Sequence, residues 1–290
     1  HVVATNAGGS TASAVVFVNL VVSSSQIVGL GRNTFGQTTV PAGLGAVVAV
    51  AGGGEHSLAL KADGTVAGWG NNGNGQITIP SGLNGLVAVA AGSYHSLALK
   101  SDGTVVGWGY NGNEQSAAPS GLSGVVAVAA GQSHSLALKS DGTVVGWGWN
   151  SFGQSAIPTG LSGVAAVAAG AAHSLALRSD GTLVGWGYNV DGQTTIPAGL
   201  TGVVAVAAGS NHSLALKSDG TVVAWGWNPY GQATVPAGLD GVVAVRPGQY
   251  HSLVLKSNGT VVGWGNNDYG QISVLPGTAN VVEIGSGNGF

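Results

Sequence analysis

Six histidines recur at a constant interval of 39 residues, and they are the first candidates for chemistry in this sequence. Each opens the stretch HSLAL or a close variant: His56, His95, His134, His173, His212 and His251. Imidazoles act as general bases and as Zn²⁺ ligands, but a zinc site needs several of them about 2.0–2.1 Å from one ion. Equivalent positions of a repeat meet equivalent neighbours and stay apart from one another. We therefore interpret these histidines as structural hydrogen-bonding residues.

The acidic side chains also fall at equivalent positions. Five of the eleven belong to turns of the form K/R-x-D-G-T, which place a basic residue and Asp together on a solvated rim: Asp63, Asp102, Asp141, Asp180 and Asp219. The chain contains no Cys, which excludes thiol catalysis, disulfides and thiolate metal sites. Neither a carboxylate pair nor a Ser–His–Asp set stands apart from the repeat. We expect a protein that is not an enzyme and that holds no metal or other cofactor.

Charge and hydropathy narrow the range of partners. The 290 residues include 8 Lys and Arg against 11 Asp and Glu, for a net charge of −3. Nucleic-acid binding requires a basic face that neutralises phosphates, so we expect no nucleic-acid partner. The longest apolar stretch, Ala14 to Val22, contains Asn19 and is too short to cross a bilayer. We expect no insertion into a membrane.

The 39-residue interval defines the architecture. One unit, Val203 to Gly241, contains four β-prone runs, named here A (VVAVA), B (HSLALK), C (TVVAWG) and D (QATVP). A period near 40 is typical of a solenoid or a propeller. Asp-Gly between runs B and C indicates a tight hairpin, and the other connections are short, so successive strands should be antiparallel neighbours. A repeated four-stranded meander is a propeller blade.

The number of runs indicates how the ring closes. Runs A, C and D occur seven times, whereas run B has six clear copies and a seventh in Phe17 to Val22. The last A run begins at Val281, just before the chain ends at Phe290. We predict an all-β, seven-bladed β-propeller of 39-residue four-stranded units, closed by pairing of the N- and C-terminal strands in one blade. Residues 17–290 form this propeller, and residues 1–16 are a leader or the remnant of a preceding domain.

Six tryptophans share the interval, and six tyrosines do not. The in-phase residues lie on run C, where we expect them to pack between blades: Trp69, Trp108, Trp147, Trp186, Trp225 and Trp264. The other aromatic residues fall in two windows that vary between units, one before each His and one after each WG: Phe35, Tyr94, Tyr110, Trp149, Phe152, Tyr188, Trp227, Tyr230, Tyr250 and Tyr269. These windows are the A–B and C–D loops, which share one end of an up-and-down meander.

Aromatic side chains that vary between units are not required by the repeat, since Asn71 to Asn74 replace them in one unit. Trp and Tyr are enriched at binding hot spots because they offer large, rigid contact areas. We predict that these ten residues form a partner-binding face, on which Trp149 points outward. The alternative is that the rings only cap the ends of the blades. Glu55, Glu114, Asp191 and Asp268 against Arg32 make this face mildly acidic.

The motif AGxxHSLALKSDGTVVGWGxNxxGQ resembles the regulator-of-chromosome-condensation repeat, a family that forms seven-bladed propellers. With TTVPAGLSGVVAV added, the chain is more similar to bacterial members, which include propeller-type inhibitors of β-lactamase. Separately, Val2 to Val22 resemble the last strands of bacterial immunoglobulin-like domains, which implies a larger secreted or surface protein. The exchange activity of the eukaryotic namesake uses a wedge-like insertion that the units here lack.

These observations lead to a hypothesis with two alternatives. The chain is predicted to be a non-catalytic protein-binding or scaffold module, a monomeric propeller within a larger secreted or cell-surface bacterial protein. The first alternative is a soluble inhibitor of a secreted enzyme, as the resemblance implies. The second is a glycan-binding module, because exposed Trp and Tyr near Asn can stack on sugars.

Overall fold

A computed structural model describes residues 15–21, 24–273 and 281–286 of the chain. The described residues form seven antiparallel sheets, each of three strands. In six of the sheets the strands follow one another along the chain, and the second strand lies in the middle. The seventh sheet combines the two ends of the described chain.

The six consecutive sheets repeat one pattern of strand lengths. The first strands are β3 (Val47–Gly52), β6 (Leu86–Ala91), β9 (Val125–Ala130), β12 (Val164–Ala169), β15 (Val203–Ala208) and β18 (Val242–Pro247). The middle strands are β4 (His56–Lys61), β7 (His95–Lys100), β10 (His134–Lys139), β13 (His173–Arg178), β16 (His212–Lys217) and β19 (His251–Lys256). The last strands are β5 (Val66–Gly70), β8 (Val105–Gly109), β11 (Val144–Gly148), β14 (Leu183–Gly187), β17 (Val222–Gly226) and β20 (Val261–Gly265).

The seventh sheet has the order β2 (Ser24–Leu30), β1 (Val15–Val21), β21 (Val281–Gly285). β1 pairs with β21 in antiparallel register, so the predicted pairing of the N- and C-terminal strands is confirmed. β21 contacts β18 and β19 on one side and β3 on the other. The sheets therefore form a β-propeller, with their first strands adjacent to one another around the axis. β1 covers residues 15–21 rather than the predicted 17–22, and residues 1–14 of the predicted leader lie outside the described residues.

The prediction of four strands in each unit is wrong for the described sheets, because run D forms turns instead of a strand. Side chains and local turns bind its backbone N–H groups. The Ile77 N–H donates to Asn72 Oδ1, and the Thr78 N–H donates to the Gly75 carbonyl. The Gln76 carbonyl accepts hydrogen bonds from Ser96 Oγ and Trp108 Nε1 of the following sheet. Run D is therefore an inter-sheet bracket, and its donors are not free to pair with run C.

The histidines and tryptophans have the structural roles that the sequence predicts. The His134 imidazole is fully buried, and its Nε2 lies 2.9 Å from Ser174 Oγ in the next sheet. Ser174 Oγ donates its proton to the Gln154 carbonyl, so it accepts from the His134 Nε2–H. Burial lowers the pKa of His134 to about 3, which keeps the imidazole neutral. The same His–Ser bridge joins four other pairs of neighbouring sheets, starting from His56, His95, His173 and His212.

Each tryptophan of run C lies in a hydrophobic cluster shared by two sheets. Trp186 of β14 packs with Leu136 and Leu138 of β10, and with Val167 of its own sheet. Its indole Nε1–H donates to the Gln154 carbonyl at 2.9 Å. Removing this ring from water and satisfying its one donor stabilises the contact between sheets.

Charged side chains occupy the inner strands at the seam where the ring closes. Glu283 of β21 and Arg246 of β18 stand where the preceding unit has Ala244 and Ala207. Burial raises the pKa of the Glu283 carboxyl to about 7, although Arg246 and a backbone hydrogen bond from Val50 oppose the shift. Since Val50 belongs to β3, the carboxyl group contacts the sheets on both sides of the seam.

Candidate functional site

Two sets of loops meet at one end of the propeller, as the sequence predicts. One set joins the first strand to the middle strand of each sheet, and the other follows the last strand. Backbone hydrogen bonds link them directly: the N–H groups of Tyr110, Trp149 and Trp227 donate to the carbonyls of Tyr94, Ser133 and Asn211. We call this end of the molecule the loop face.

All ten aromatic side chains predicted to bind a partner lie in these loops. Tyr94 and Tyr250 stand between a first and a middle strand, and the others follow a last strand: Phe35, Tyr110, Trp149, Phe152, Tyr188, Trp227, Tyr230 and Tyr269. Five of them are exposed, namely Phe35, Tyr110, Phe152, Tyr230 and Tyr269. The loop face therefore presents aromatic rings from six of the seven sheets, and the exception is β3–β5, which is followed by Asn71 to Asn74.

Six of the ten rings form two clusters, each built from neighbouring sheets. In the first cluster, Phe152 lies edge-on to Trp149 and to Tyr188, with ring centroids 5.3 and 4.9 Å apart. In the second, Trp227, Tyr230 and Tyr250 contact one another, with centroids 5.1 to 5.5 Å apart.

The clusters differ from the prediction in which ring faces solvent. Trp149 and Trp227 are half-buried, whereas Phe152 and Tyr230 are 47% and 48% exposed. Each indole packs edge-to-face against the smaller ring beside it. This contact covers part of the indole and leaves the smaller ring facing solvent. Phe152 and Tyr230 are therefore the apolar side chains of the clusters that a partner would meet.

A cavity of about 300 Å³ opens on the loop face between the two clusters. Trp149, Phe152 and Tyr188 line it from the first cluster, and Tyr250 lines it from the second. We call this cavity the central cup, because the remaining lining comes from loops that follow the innermost strands.

The floor of the central cup consists of polar and small side chains that come from consecutive sheets. Ser93, Gln132, Ala171, Ser210 and Gln249 each stand two residues after the end of a first strand or close to it. The residue type at this position differs between units, but a Ser, Gln or Ala in a loop does not by itself indicate a binding site. Sequence reasoning missed them because it selected the aromatic residues of the variable windows, although the residue beside each of them varies as well.

Backbone hydrogen bonds between loops hold the floor of the cup. The Gln132 N–H donates to the Gly170 carbonyl, the Ala171 N–H to the Ser210 carbonyl, and the Ser210 N–H to the Gly248 carbonyl. Each loop is thus bonded to the loop of the next sheet. The floor is preorganised, and a ligand would meet it without a large cost of ordering.

Charged groups of the loop face lie around the cup rather than in it. Glu55 accepts a hydrogen bond from Asn71, Asp268 accepts one from Asn266, and Arg32 lies 6.0 Å from the Tyr269 ring centroid.

Burial, and secondarily Tyr230, raises the pKa of Tyr250, so its hydroxyl stays neutral at physiological pH. Among the described side chains, no three His, Asp or Glu residues are grouped so that they could hold a metal ion. The geometry provides contact surface and hydrogen-bonding groups.

One loop residue adopts a strained backbone conformation. Glu114 has φ of 64°, where the equivalent residue of the other units is a glycine such as Gly75 or Gly153. The left-handed conformation costs a residue with a Cβ about 1–2 kcal/mol, and glycine avoids this cost. Glycine also has a more flexible unfolded state, so it loses more conformational entropy on folding and the net gain in stability is smaller.

We expect the substitution Glu114→Gly to raise the free energy of unfolding by about 0.5–1 kcal/mol. Urea unfolding followed by tryptophan fluorescence measures this change. Gly153→Ala is the matched control, because a Cβ there meets no atom within 4 Å and only the backbone conformation opposes it. It should lower the free energy of unfolding, and a loss of stability in both variants would contradict the explanation.

Comparison with known families identifies the repeat. The model of the regulator of chromosome condensation (RCC1) repeat matches residues 47–76, 86–115, 125–154, 164–193, 203–232 and 242–271. Together these segments make up more than half of the chain. The chain belongs to the RCC1 repeat family. Each matched RCC1 repeat begins at the first strand of a sheet and ends at the glutamine of the bracket between sheets.

Solved structures of RCC1-like propellers share this fold. Yeast RCC1 (Prp20), in its complex with Kap60, is 20% identical, with a TM-score of 0.75 over 97% of this chain and 88% of that chain. Human WBSCR16 is 20% identical, with a TM-score of 0.71 over 95% and 98% of the two chains. The ectodomain of the receptor kinase ACR4 from Arabidopsis thaliana is 22% identical, with a TM-score of 0.67 over 89% and 98%. At these identities the similarity shows the fold alone.

No curated protein sequence matches the chain at a significant level. In the described ranges, no helix has the length and apolar character needed to cross a membrane.

Proposed function

We propose that this RCC1-repeat chain is a non-catalytic module that binds another protein through the aromatic side chains of its loop face. The observation that carries the proposal is the placement of all ten variable aromatic residues at one end of the propeller. Exposed apolar rings cost solvation free energy, and clusters of them on one face mark interaction sites.

We also make a proposal about the complete ring and about the larger protein to which it belongs. We infer that each sheet is one blade of a seven-bladed propeller that begins at β1, and that the residues before β1 belong to a leader or a preceding immunoglobulin-like domain. We further propose that the chain is of the bacterial type and acts as a monomeric propeller in a secreted or cell-surface protein. The likeness of residues 2–22 to the end of an immunoglobulin-like domain supports this context.

The distribution of exposed rings fits a partner of protein size. Phe35 and Tyr110 lie in loops of sheets that contribute to neither cluster, and Tyr269 lies in a different loop from the cluster residues, so the apolar contacts are spread around the face. A stable protein interface covers roughly 800 Å² on each partner. In the yeast RCC1 structure that shares this fold, the propeller protein is bound to the protein Kap60, which is consistent with protein binding by such modules.

The proposal is tested by comparing apolar substitutions at the two ends of the propeller. The loop-face variant is Phe152→Ser/Tyr230→Ser/Tyr269→Ser. The control variant is Val126→Ser/Val204→Ser/Val243→Ser, whose side chains are 51–54% exposed at the start of the first strands, at the opposite end. Partners are captured from the secreted and surface proteins of the native community, identified by mass spectrometry and measured by calorimetry.

We expect the loop-face variant to bind an identified partner at least about 100-fold more weakly, because loss of a hot-spot residue costs about 2 kcal/mol or more. The control variant should bind like the wild type. Equal affinity of the wild type and the loop-face variant would reject the aromatic face as the binding surface. The rings would then be caps on the blade ends.

A narrower form of the proposal concerns a secreted enzyme as the partner. The resemblance to propeller-type β-lactamase inhibitors makes a class A β-lactamase the specific candidate. An inhibition assay with a panel of these enzymes decides this form, and inactivity at about micromolar protein would exclude it.

A further inference from the structure

The central cup combines an aromatic wall with a polar floor. Its walls are the rings of Trp149, Tyr188 and Tyr250, and its floor carries the hydroxyl of Ser93 and the amides of Gln132 and Gln249. All the described residues that line it are uncharged. Its volume of about 300 Å³ lies at the lower end of the range for small-molecule sites.

The floor includes a hydrogen-bonding group that has no partner within the protein. Ser93 is 1% exposed, and its Oγ makes no hydrogen bond to any described residue. A buried hydroxyl without a partner costs roughly 1–3 kcal/mol. A ligand hydroxyl in the cup would satisfy the Ser93 hydroxyl and regain this free energy on binding.

Neighbouring amides extend the polar floor. Gln249 is 7% exposed and Gln132 is half-buried, and each carries both donors and an acceptor. Such groups suit a ligand whose polar atoms also donate and accept, as a sugar hydroxyl does. The backbone bonds between consecutive loops fix these side chains on one rigid floor.

The absence of charge among the described lining residues restricts the ligand chemistry. An anionic or cationic group would lose its hydration in the cup without meeting an opposite charge. A purely apolar ligand would leave the Ser93 hydroxyl and the glutamine amides unsatisfied. A ligand that fits has an apolar face for the rings, several hydroxyl or amide groups, and no charge.

We propose that the central cup binds the neutral end of a glycan, one or two hexose residues long. The C–H face of a pyranose contacts the aromatic wall, and its hydroxyl groups bond to Ser93, Gln132 and Gln249. This site shares the rings of Phe152 and its neighbours in the cup wall with the protein-binding surface proposed above, but it adds the polar floor, and the exposed rings of Tyr230 and Tyr269 do not line it.

The experiment uses the full chain and soluble neutral disaccharides. Maltose, cellobiose, lactose and N,N′-diacetylchitobiose are titrated while tryptophan fluorescence and saturation-transfer NMR are recorded. Glucuronic acid serves as the charged comparison. We expect saturable binding of at least one neutral disaccharide, a fluorescence change that reports Trp149 beside the cup, and no binding of glucuronic acid.

Three variants locate the site. Ser93→Ala and Gln132→Leu each remove one polar group from the floor, and we expect each to weaken the binding of the disaccharide about tenfold or more. Two substitutions are used so that the test does not depend on the folding of either one. Val190→Ser is the control, because this side chain is 78% exposed on the loop face and does not line the cup.

The possible results separate the two proposals. Failure of all four disaccharides to saturate the protein at about 10 mM would overturn the glycan proposal. A dissociation constant above about 10 mM corresponds to a binding free energy weaker than about 3 kcal/mol. Tight binding of an uncharged proline-rich peptide that is lost in Gln132→Leu would also overturn it and assign the cup to a peptide. Phe152 also lines the cup, so the two proposals are separated by Ser93→Ala and Gln132→Leu, which keep every exposed ring and should leave the binding of a protein partner unchanged.

Discussion

Acidification from pH 7 to pH 5 is expected to unfold this propeller, well before the aspartates of its turns are protonated. Burial lowers the pKa of His56, His95, His134 and His212 to about 3, and neighbouring histidines add to the shift in His56, His134 and His212. Burial lowers the pKa of His173 and His251 to about 4. In the unfolded chain each imidazole has a pKa near 6.5.

The direction of the effect follows from where the protons bind. A histidine whose folded pKa lies below its unfolded pKa stays neutral in the native state while the unfolded state takes up a proton. The stability that it contributes is complete above pH 6.5 and is lost as the pH falls toward the folded pKa. At pH 5.5 the loss is on the order of 1 kcal/mol for each histidine and on the order of 5–10 kcal/mol for the six together.

A loss of this size is comparable with the whole stability of a typical domain, about 5–15 kcal/mol. We therefore expect the acid-unfolding midpoint between about pH 5 and 6. The exposed aspartates of the turns act in the same direction but at lower pH, because hydrogen bonds from Thr65 and Thr143 lower the pKa of Asp63 and Asp141 to about 2.

Urea unfolding at a series of pH values measures the effect, with tryptophan fluorescence as the signal. The slope of the unfolding free energy against pH gives the net number of protons taken up on unfolding. At pH 5.5 it should be about four to five, because the six histidines take up about five to six and Glu283, whose pKa is raised in the native state, releases about one. The variant His134→Gln should take up about one proton fewer, even though loss of its bond to Ser174 lowers its stability. A free energy that stays constant down to pH 4 would show that the histidines are not buried as neutral groups.

The substitution Gly131→Ala is expected to lower the free energy of unfolding by about 3 kcal/mol or more. An added Cβ would lie 2.4 Å from the Gly170 carbonyl oxygen of the next sheet and 2.4 Å from Cε1 of His134. Neither atom can move easily, because the first is backbone and the second belongs to a buried ring held by Ser174. Overpacking of a rigid contact typically costs about 1–3 kcal/mol, and here two contacts are violated together.

Gly73→Ala is the matched control for this prediction. Gly73 is exposed, its φ is not in the left-handed region, and a Cβ there meets only the side-chain oxygen of Asn71, at 3.2 Å. Its effect should remain within about 0.5 kcal/mol. Equal stability of the two variants in urea unfolding would show that neighbouring sheets are not as close at Gly131 as the structure places them.

Much of the fold follows from patterns within a single unit. The sequence predicts runs A, B and C as strands because their hydrophobic patterns and their Asp-Gly turns agree. It also predicts that Trp186 and its equivalents are core residues, since a large ring repeated at a fixed place must pack against a repeated neighbour. Closure of the ring follows from an N-terminal unit that lacks only its A run and a C-terminal A run that lacks the rest of its unit.

Run D shows where local pattern fails. Its residues, such as Ile77 to Ile79, have the composition of a strand, but their hydrogen bonds go to Asn72 and to a local turn. The carbonyl of Gln76 bonds to a different sheet. A pattern within one unit does not reveal a partner that lies in the next unit, so the sequence predicts a strand where the fold has a bracket.

The sequence by itself determined the repeat, the three strands A, B and C of each unit, the ring closure and the end of the molecule that carries the variable aromatic residues. These depend on spacing along the chain, which is a local property. Only the tertiary structure decided that Phe152 and Tyr230 are more exposed than Trp149 and Trp227, and that Ser93, Gln132 and Gln249 share one floor. The three residues of the floor are separated by 39 or more positions, and only the curvature of the closed ring brings their side chains to one cup.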